Sequence, residues 1–276
     1  MKRLKIGISQ GRLIKPPNNE LQWFPGIKWK KEFQIANQIG LNHIELLAEV
    51  NHNKLNPLWT KSGRNEINKY SQKYKIENYS ACFDFLIKNE ISEDFSEKSD
   101  IIIYSKRFID ACSELNVKII ILPFLGENNL ELSKIKTIKN YLEVLVPYAF
   151  GKEISISVES LAEPELIKKL LEKFLKYSSG CVYDTGNRVL LSKDQEKDIL
   201  NLSKFINHIH IKDKNEKNEN VVLGNGIVDF KKIFLALIKI EYQGMFTMET
   251  NRGENPTLTA IQNLQLINKF FKNKNL

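Results

Sequence analysis

Cysteine is scarce in this chain: 276 residues carry three, Cys82, Cys112 and Cys181. They form no CxxC pair, and so sparse and odd a set argues against a disulfide framework and for a reducing compartment. No apolar run approaches a membrane span, and the apolar stretch inside MKRLKIGIS is too brief for a secretory signal. The G-x-G-x-x-G of a dinucleotide-binding first turn is missing, and the run at Gly224 to Gly226 lies too late and lacks the third glycine. There is no tandem repeat, no low-complexity segment and no linker. What remains is a cytoplasmic protein without a membrane partner, one domain over residues 1–276. Self-association is left open.

The charge balance is basic, at +8. The excess is mostly lysine, spread along helix-like stretches among many asparagines, and no window resembles a basic arm. We read it as a solvated surface, with no nucleic-acid partner. A hydrophobic content of 42% is ordinary for a globular protein, and the length suffices for one large core.

Strand-like and helix-like patterns alternate. The strands are Leu4 to Ser9, His43 to Leu47, Glu77 to Phe83, Val117 to Phe124, Ile154 to Ser160, Cys181 to Asp184, Phe205 to Lys214 and Met245 to Thr250. Between them lie helices with recognisable punctuation: Gly40 ends the first, Pro164 opens the fifth, Asp229 caps the seventh and Pro256 opens the last. Strands separated by helical crossovers pair in parallel. Eight such units in this length predict an α/β fold, a single (β/α)8 TIM barrel with a parallel eight-stranded core. An open doubly wound sheet is the runner-up.

Active sites in such barrels lie at the C-terminal ends of the strands. Alternation along a strand sends every second side chain inward. In the seventh strand this places His208, His210 and Lys212 on one face and Ile209 and Ile211 on the other. The plainer reading is a half-exposed strand with surface histidines. Three neighbouring strands, however, end the same way. Glu159 tops the fifth, Asp184 the sixth and Glu249 the eighth, so four successive strands deliver Glu, Asp, His and Glu to one rim. Carboxylates crowded in this way either bind protons or share a cation. An oxygen-rich set with one imidazole suits Mn, Mg, Co or Zn.

These stretches resemble the xylose isomerase-like TIM barrels, a group that includes sugar-phosphate isomerases, ketose 3-epimerases, inosose dehydratases and endonuclease IV. The matching pieces are ISVES, VYDTGN, HIHIKD, LGNGIVDF and MET, in the family's order over most of the C-terminal half. The N-terminal half matches mainly in layout and in IEL. The resemblance implies that Glu159, Asp184, His210 and Glu249 bind one divalent metal ion, and that Glu159 and Glu249 act as catalytic acid and base.

The implied function is a metal-dependent isomerase or epimerase of a sugar or sugar phosphate, working through an enediolate. His208 and Lys212 are candidate substrate contacts. Glu45 is a candidate for substrate binding or for support of the site. Arg12 and Arg252, with Arg188, follow strands where a phosphate can be held, although each taken alone reads as a surface arginine. Dehydration of an inosose-type sugar is the alternative chemistry. Endonuclease IV-like repair ranks lower: its zinc sites need a histidine where this chain has Asn187, and the chain has only four histidines. A non-catalytic sugar-binding barrel ranks lower too, because the ligand set is full.

Overall fold

The computed structural model describes residues 4–17 and 20–272. Eight parallel strands close on themselves: β1 (Ile6–Ser9), β2 (His43–Ala48), β3 (Ser80–Phe83), β4 (Ile119–Phe124), β5 (Ser155–Ser160), β6 (Gly180–Asp184), β7 (Ile206–Ile211) and β10 (Phe246–Met248), with β10 pairing back onto β1. A separate two-stranded antiparallel ribbon, β8 (Asp213–Lys214) with β9 (Asn220–Val221), stands in the loop after β7. The main helices are α1 (Trp29–Ile39), α2 (Lys61–Tyr74), α3 (Asp100–Glu114), α4 (Ile135–Phe150), α5 (Pro164–Leu171), α8 (Phe230–Lys239) and α9 (Pro256–Lys272); two short ones, α6 (Thr185–Val189) and α7 (Gln195–Asn201), follow β6. This is the (β/α)8 barrel expected from the alternation. Among the described residues no helix is long and apolar enough to cross a membrane.

The helix boundaries have local causes. Gly40 ends α1 at φ 84°, a left-handed conformation that glycine adopts freely. Thr60 caps α2 by accepting from the Gly63 N–H at 3.1 Å, and Asp229 caps α8 by accepting from the Lys232 N–H at 3.0 Å. Several strands are shorter than the apolar runs suggest. The seventh ends early because Thr185 Oγ1 accepts from the Lys212 N–H and donates to its carbonyl, at 2.9 and 2.6 Å. A side chain thus takes both ladder positions of Lys212, and the backbone leaves the barrel to form the ribbon.

Outward-facing Ile8, Ile44, Phe83, Ile120, Val158, Tyr183, Ile209 and Met248 pack beneath the helices in the main core. The interior is smaller and divided. Leu47, Cys82, Ile119, Ile121 and Val182 form one apolar cluster. Ser9, His43, Glu45, Ser80, His208 and Thr247 fill the remainder, all buried. Gly7 serves that second part: a Cβ there would sit 2.3 Å from the His43 ring. Only glycine lets the imidazole lie across β1.

Candidate active site

Four neighbouring strands build the site. Glu159 lies near the end of β5, Asp184 ends β6, His210 lies near the end of β7 and Glu249 follows β10. One ligand-capable atom from each lies within 4.8 Å of the other three. Asp184 divides its work. Its Oδ1 accepts from the Asn187 N–H at 2.7 Å and caps α6, while Oδ2 faces the cluster. His210 Nδ1 is 3.4 Å from Glu249 Oε2 and 3.9 Å from Asp184 Oδ2. The Lys212 ammonium stands 2.9 Å from Asp184 Oδ2 and 2.6 Å from Glu249 Oε2. It lies off the hydrogen-bonding directions of both oxygens, so it balances charge without satisfying them. Among the described residues, Asp184 Oδ2, His210 Nδ1 and Glu249 Oε2 therefore remain buried without a directed hydrogen bond. Buried polar atoms are seldom left so, and two carboxylate oxygens and an imidazole nitrogen converging in this way suit a divalent cation. The residues present fit such an ion.

Below this rim lies Glu45. Its carboxylate accepts from Ser9 Oγ at 3.1 Å and Ser80 Oγ at 2.8 Å, and meets His208 Nε2 at 3.1 Å and His210 Nε2 at 3.1 Å. Neutral imidazole carries its proton on one nitrogen. With Nε2 donating to Glu45, His210 would have its Nδ1 lone pair to offer a cation that displaced the Nδ1 proton at the rim. Carboxylate-held histidines orient metal ligands in this way. Thr247 Oγ1 joins His208 Nε2 at 3.1 Å to His43 Nε2 at 2.8 Å and extends the network down the barrel.

The two glutamates sit in opposite electrostatic surroundings. Burial raises the Glu159 carboxyl to about 8, with Glu249 and Asp184 adding to the shift and His210 and Lys212 opposing it. Burial also acts to raise Glu249, but Lys212, His210 and Arg12 outweigh it and hold that carboxylate well below its ordinary range. For Lys212, burial pulls the ammonium down, yet Asp184 and Glu249 hold it above its usual value. His210 likewise overcomes burial, through Glu45 and Glu249.

The expected site residues separate into groups. Glu159, Asp184, His210, Glu249 and Lys212 converge. Arg12 is 1% exposed and donates to Glu249 Oε1 at 3.2 Å, and also to Leu21 O and Gln22 Oε1. His208 and Glu45 stand beneath the rim with their polar atoms mostly turned to each other. Arg252 donates to the carbonyls of Gly11, Glu20 and Leu21 at 2.6, 2.7 and 2.8 Å. Neither Glu45 nor Arg252 keeps a group free toward the mouth. Arg188 is occupied by Asp198 and the Ala162 carbonyl. None of the three arginines is a surface residue; each is buried with specific acceptors. Three participants escaped the sequence reading. Asn187 Nδ2 donates to Glu159 Oε1 at 2.9 Å, and Ser9 and Ser80 support Glu45. The serines share a strand face with recognised inward positions, so alternation carried a signal for them; Asn187 lies in a helix and had none.

Comparison with known proteins agrees with this fold. The provisionally named L-ribulose-5-phosphate 3-epimerase SgbU of Haemophilus influenzae is 27% identical over 281 residues, spanning 95% of this chain and 94% of that protein. The D-allulose 3-epimerase from Methylomonas sp., solved in complex with D-allulose, superposes with a TM-score of 0.71 at 17% identity, covering 98% of each chain. The IOLI protein with a bound zinc atom superposes with a TM-score of 0.69 at 17% identity, covering 97% of this chain and 96% of that one. The family model described as xylose isomerase-like TIM barrel matches residues 33–270. With the closed parallel barrel and the four-residue cluster at its rim, that match places the chain in the xylose isomerase-like TIM barrel family.

Proposed function

We propose that the protein is a divalent-metal-dependent epimerase or isomerase of a ketose or ketose phosphate, with Glu159 and Glu249 as its acid–base pair. The observation that carries this reading is the convergence at the barrel mouth of three buried atoms, Asp184 Oδ2, His210 Nδ1 and Glu249 Oε2, that have no directed hydrogen bond among the described residues. The similarity to ketose epimerases supports the choice of substrate class. Glu159, Asp184, His210 and Glu249 would hold Mn, Mg, Co or Zn, and the ion would supply Lewis-acid polarisation of the sugar carbonyl.

The remaining chemistry falls to side chains. Around the barrel the order β5, β6, β7, β10 puts Glu159 and Glu249 at the two ends of the arc, with Asp184 and His210 between them. A sugar seated over the arc presents one face to each glutamate. One takes the proton from the carbon beside the carbonyl and the other returns a proton, which gives an enediolate between the two steps. Return to the opposite face of the same carbon inverts it and yields an epimer; return to the neighbouring carbon yields an aldose–ketose isomer. Asn187 orients Glu159, and Arg12 orients Glu249. Lys212 is placed to meet negative charge developing on the substrate oxygens, and burial in a water-poor mouth strengthens that attraction.

The test is C–H exchange in D2O with Mn2+ present, using D-allulose, L-ribulose and L-ribulose 5-phosphate, together with metal titration of the wild type and Asp184→Asn. Exchange into at least one ketose and a weakened Asp184→Asn metal site are the expected results. Unchanged metal affinity in the variant would overturn the assignment.

A further inference from the structure

Asp84 stands where β3 delivers its next inward side chain. Ser80 reaches Glu45, Cys82 packs in the apolar part of the interior, and Asp84 continues the alternation above them at the mouth. The Cys82 thiol donates to Asp84 Oδ1 at 3.1 Å, which fixes the carboxylate on the inner face. Asp84 is 2% exposed, and its Oδ2 has no hydrogen-bond partner among the described residues. It lies close enough to Arg12 and Glu249 for their charges to bear on it. Arg12 Nε is also buried without a partner among the described residues. On the β1–β3 side of the mouth there is thus an acceptor and a donor that the fold leaves unmatched. Both are held rigidly: one by the thiol beneath it, the other by the rest of a guanidinium anchored to Glu249 and the loop after β1.

We infer that Asp84 forms the far wall of the sugar subsite, where its Oδ2 accepts a free hydroxyl of the carbon chain beyond the reacting carbons. The inference rests on the reading of the site given above and refines its substrate. A carboxylate that takes a hydroxyl there repels a phosphate in the same place. Asp84 therefore biases the site toward a ketose whose end on the β3 side is unphosphorylated. Sites built to hydrogen-bond a hydroxyl discriminate strongly, because the buried partner is left unpaired when the hydroxyl is missing.

The experiment compares metal-loaded wild type, Asp84→Asn and Asp84→Ala on D-allulose, L-ribulose and L-ribulose 5-phosphate. Metal affinity, thermal midpoint and sugar binding by calorimetry are measured alongside turnover. Asp84→Ala is expected to lower kcat/KM for the free ketose about 10- to 100-fold, the range of one hydrogen bond to a charged group, with metal affinity within about twofold of wild type. Asp84→Asn, nearly isosteric and uncharged, is expected to raise the ratio of phosphorylated to free L-ribulose activity about tenfold or more. A purely structural role would move both substrates together. An active wild type whose two variants keep that ratio overturns the inference alone. A wild type that neither binds nor turns over any of these sugars overturns the reading of the site, and this inference with it.

Discussion

Inside the barrel, Leu47, Cys82, Ile119, Ile121 and Val182 face a group of Ser9, His43, Glu45, Ser80, His208 and Thr247. The apolar group stabilises simply by leaving water, roughly 1.5–3 kcal/mol for each large side chain. Any chain of similar volume serves there. The polar group gives up hydration for every atom it buries and recovers it only through directed bonds. Glu45 shows how complete that recovery is, with two hydroxyls and two imidazoles around one carboxylate. The two regions therefore answer to different demands. One fills space; the other holds the His210 ring at a single angle beneath three carboxylates. A barrel needing only stability has no reason to place imidazoles on its axis.

The largest test of this contrast lies at the top of the polar side. Glu159→Gln and Glu249→Gln are each expected to lower turnover by about 10² to 10⁴ with metal occupancy restored. The variant lacking only the second group of the pair should still exchange substrate C–H with D2O, and the roles should swap when the assay starts from product. Near-normal turnover by both metal-loaded variants on an identified sugar would sink the two-glutamate mechanism.

A paired substitution comes next. Ile121→Ala, in the apolar group, should lower stability by about 2–5 kcal/mol and leave metal affinity unchanged. Glu45→Ala should lower stability by about 3–5 kcal/mol, since two imidazoles and two hydroxyls lose their acceptor, and should also weaken metal binding about 10- to 100-fold. Denaturant unfolding and metal titration on the same preparations separate the two effects. Equal effects on metal binding would erase the distinction between the halves.

A smaller effect is expected from pH. Burial, with help from His208 and against the pull of Glu45, lowers the His43 imidazole to about 3. An unfolded histidine titrates near 6.5. Between these values the unfolded chain binds a proton that the folded chain refuses, so stability falls as pH drops below about 6.5 and keeps falling toward about 3. From pH 7 to pH 5 the His43 share of that loss is about 2 kcal/mol. His43→Gln, which can still bond Thr247, should lose that much less over the same interval in urea unfolding. Parallel losses in both proteins would show that His43 is not held neutral.

The barrel and its rim were legible because they repeat. Four strands end in polar residues on one parity, and Glu159, Asp184, His210 and Glu249 converge as that parity requires. Strand lengths were less legible, since apolar runs mark burial and not ladder bonds. The break at Lys212 depends on the Thr185 hydroxyl, a contact between residues 27 apart that no periodicity encodes. The arginines misled for a related reason. Arg12 and Arg252 lie in loops where arginine is ordinarily solvated, yet loop carbonyls fold around both. Glu45 carried its signal in the right place, on the inward face of β2, but only the depth of His210 above it shows that it reaches that imidazole and not the mouth.

The Arg252 contacts have a consequence for how the molecule is made. They tie Gly11, Glu20 and Leu21 to the segment after β10, while Arg12 meets Glu249 and Ile6 pairs with Phe246. The first strand can pair with β2 early in synthesis, but its other edge stays open until the last barrel strand has left the ribosome. Such distant contacts close late and slowly, because a long loop must be ordered before they form. Glu249 also arrives last, so a nascent chain that already holds Arg12, Glu159, Asp184 and His210 still lacks the carboxylate that completes the four-residue cluster. Through that interval the exposed edge of β1 is the place where a partly made chain can pair with another copy.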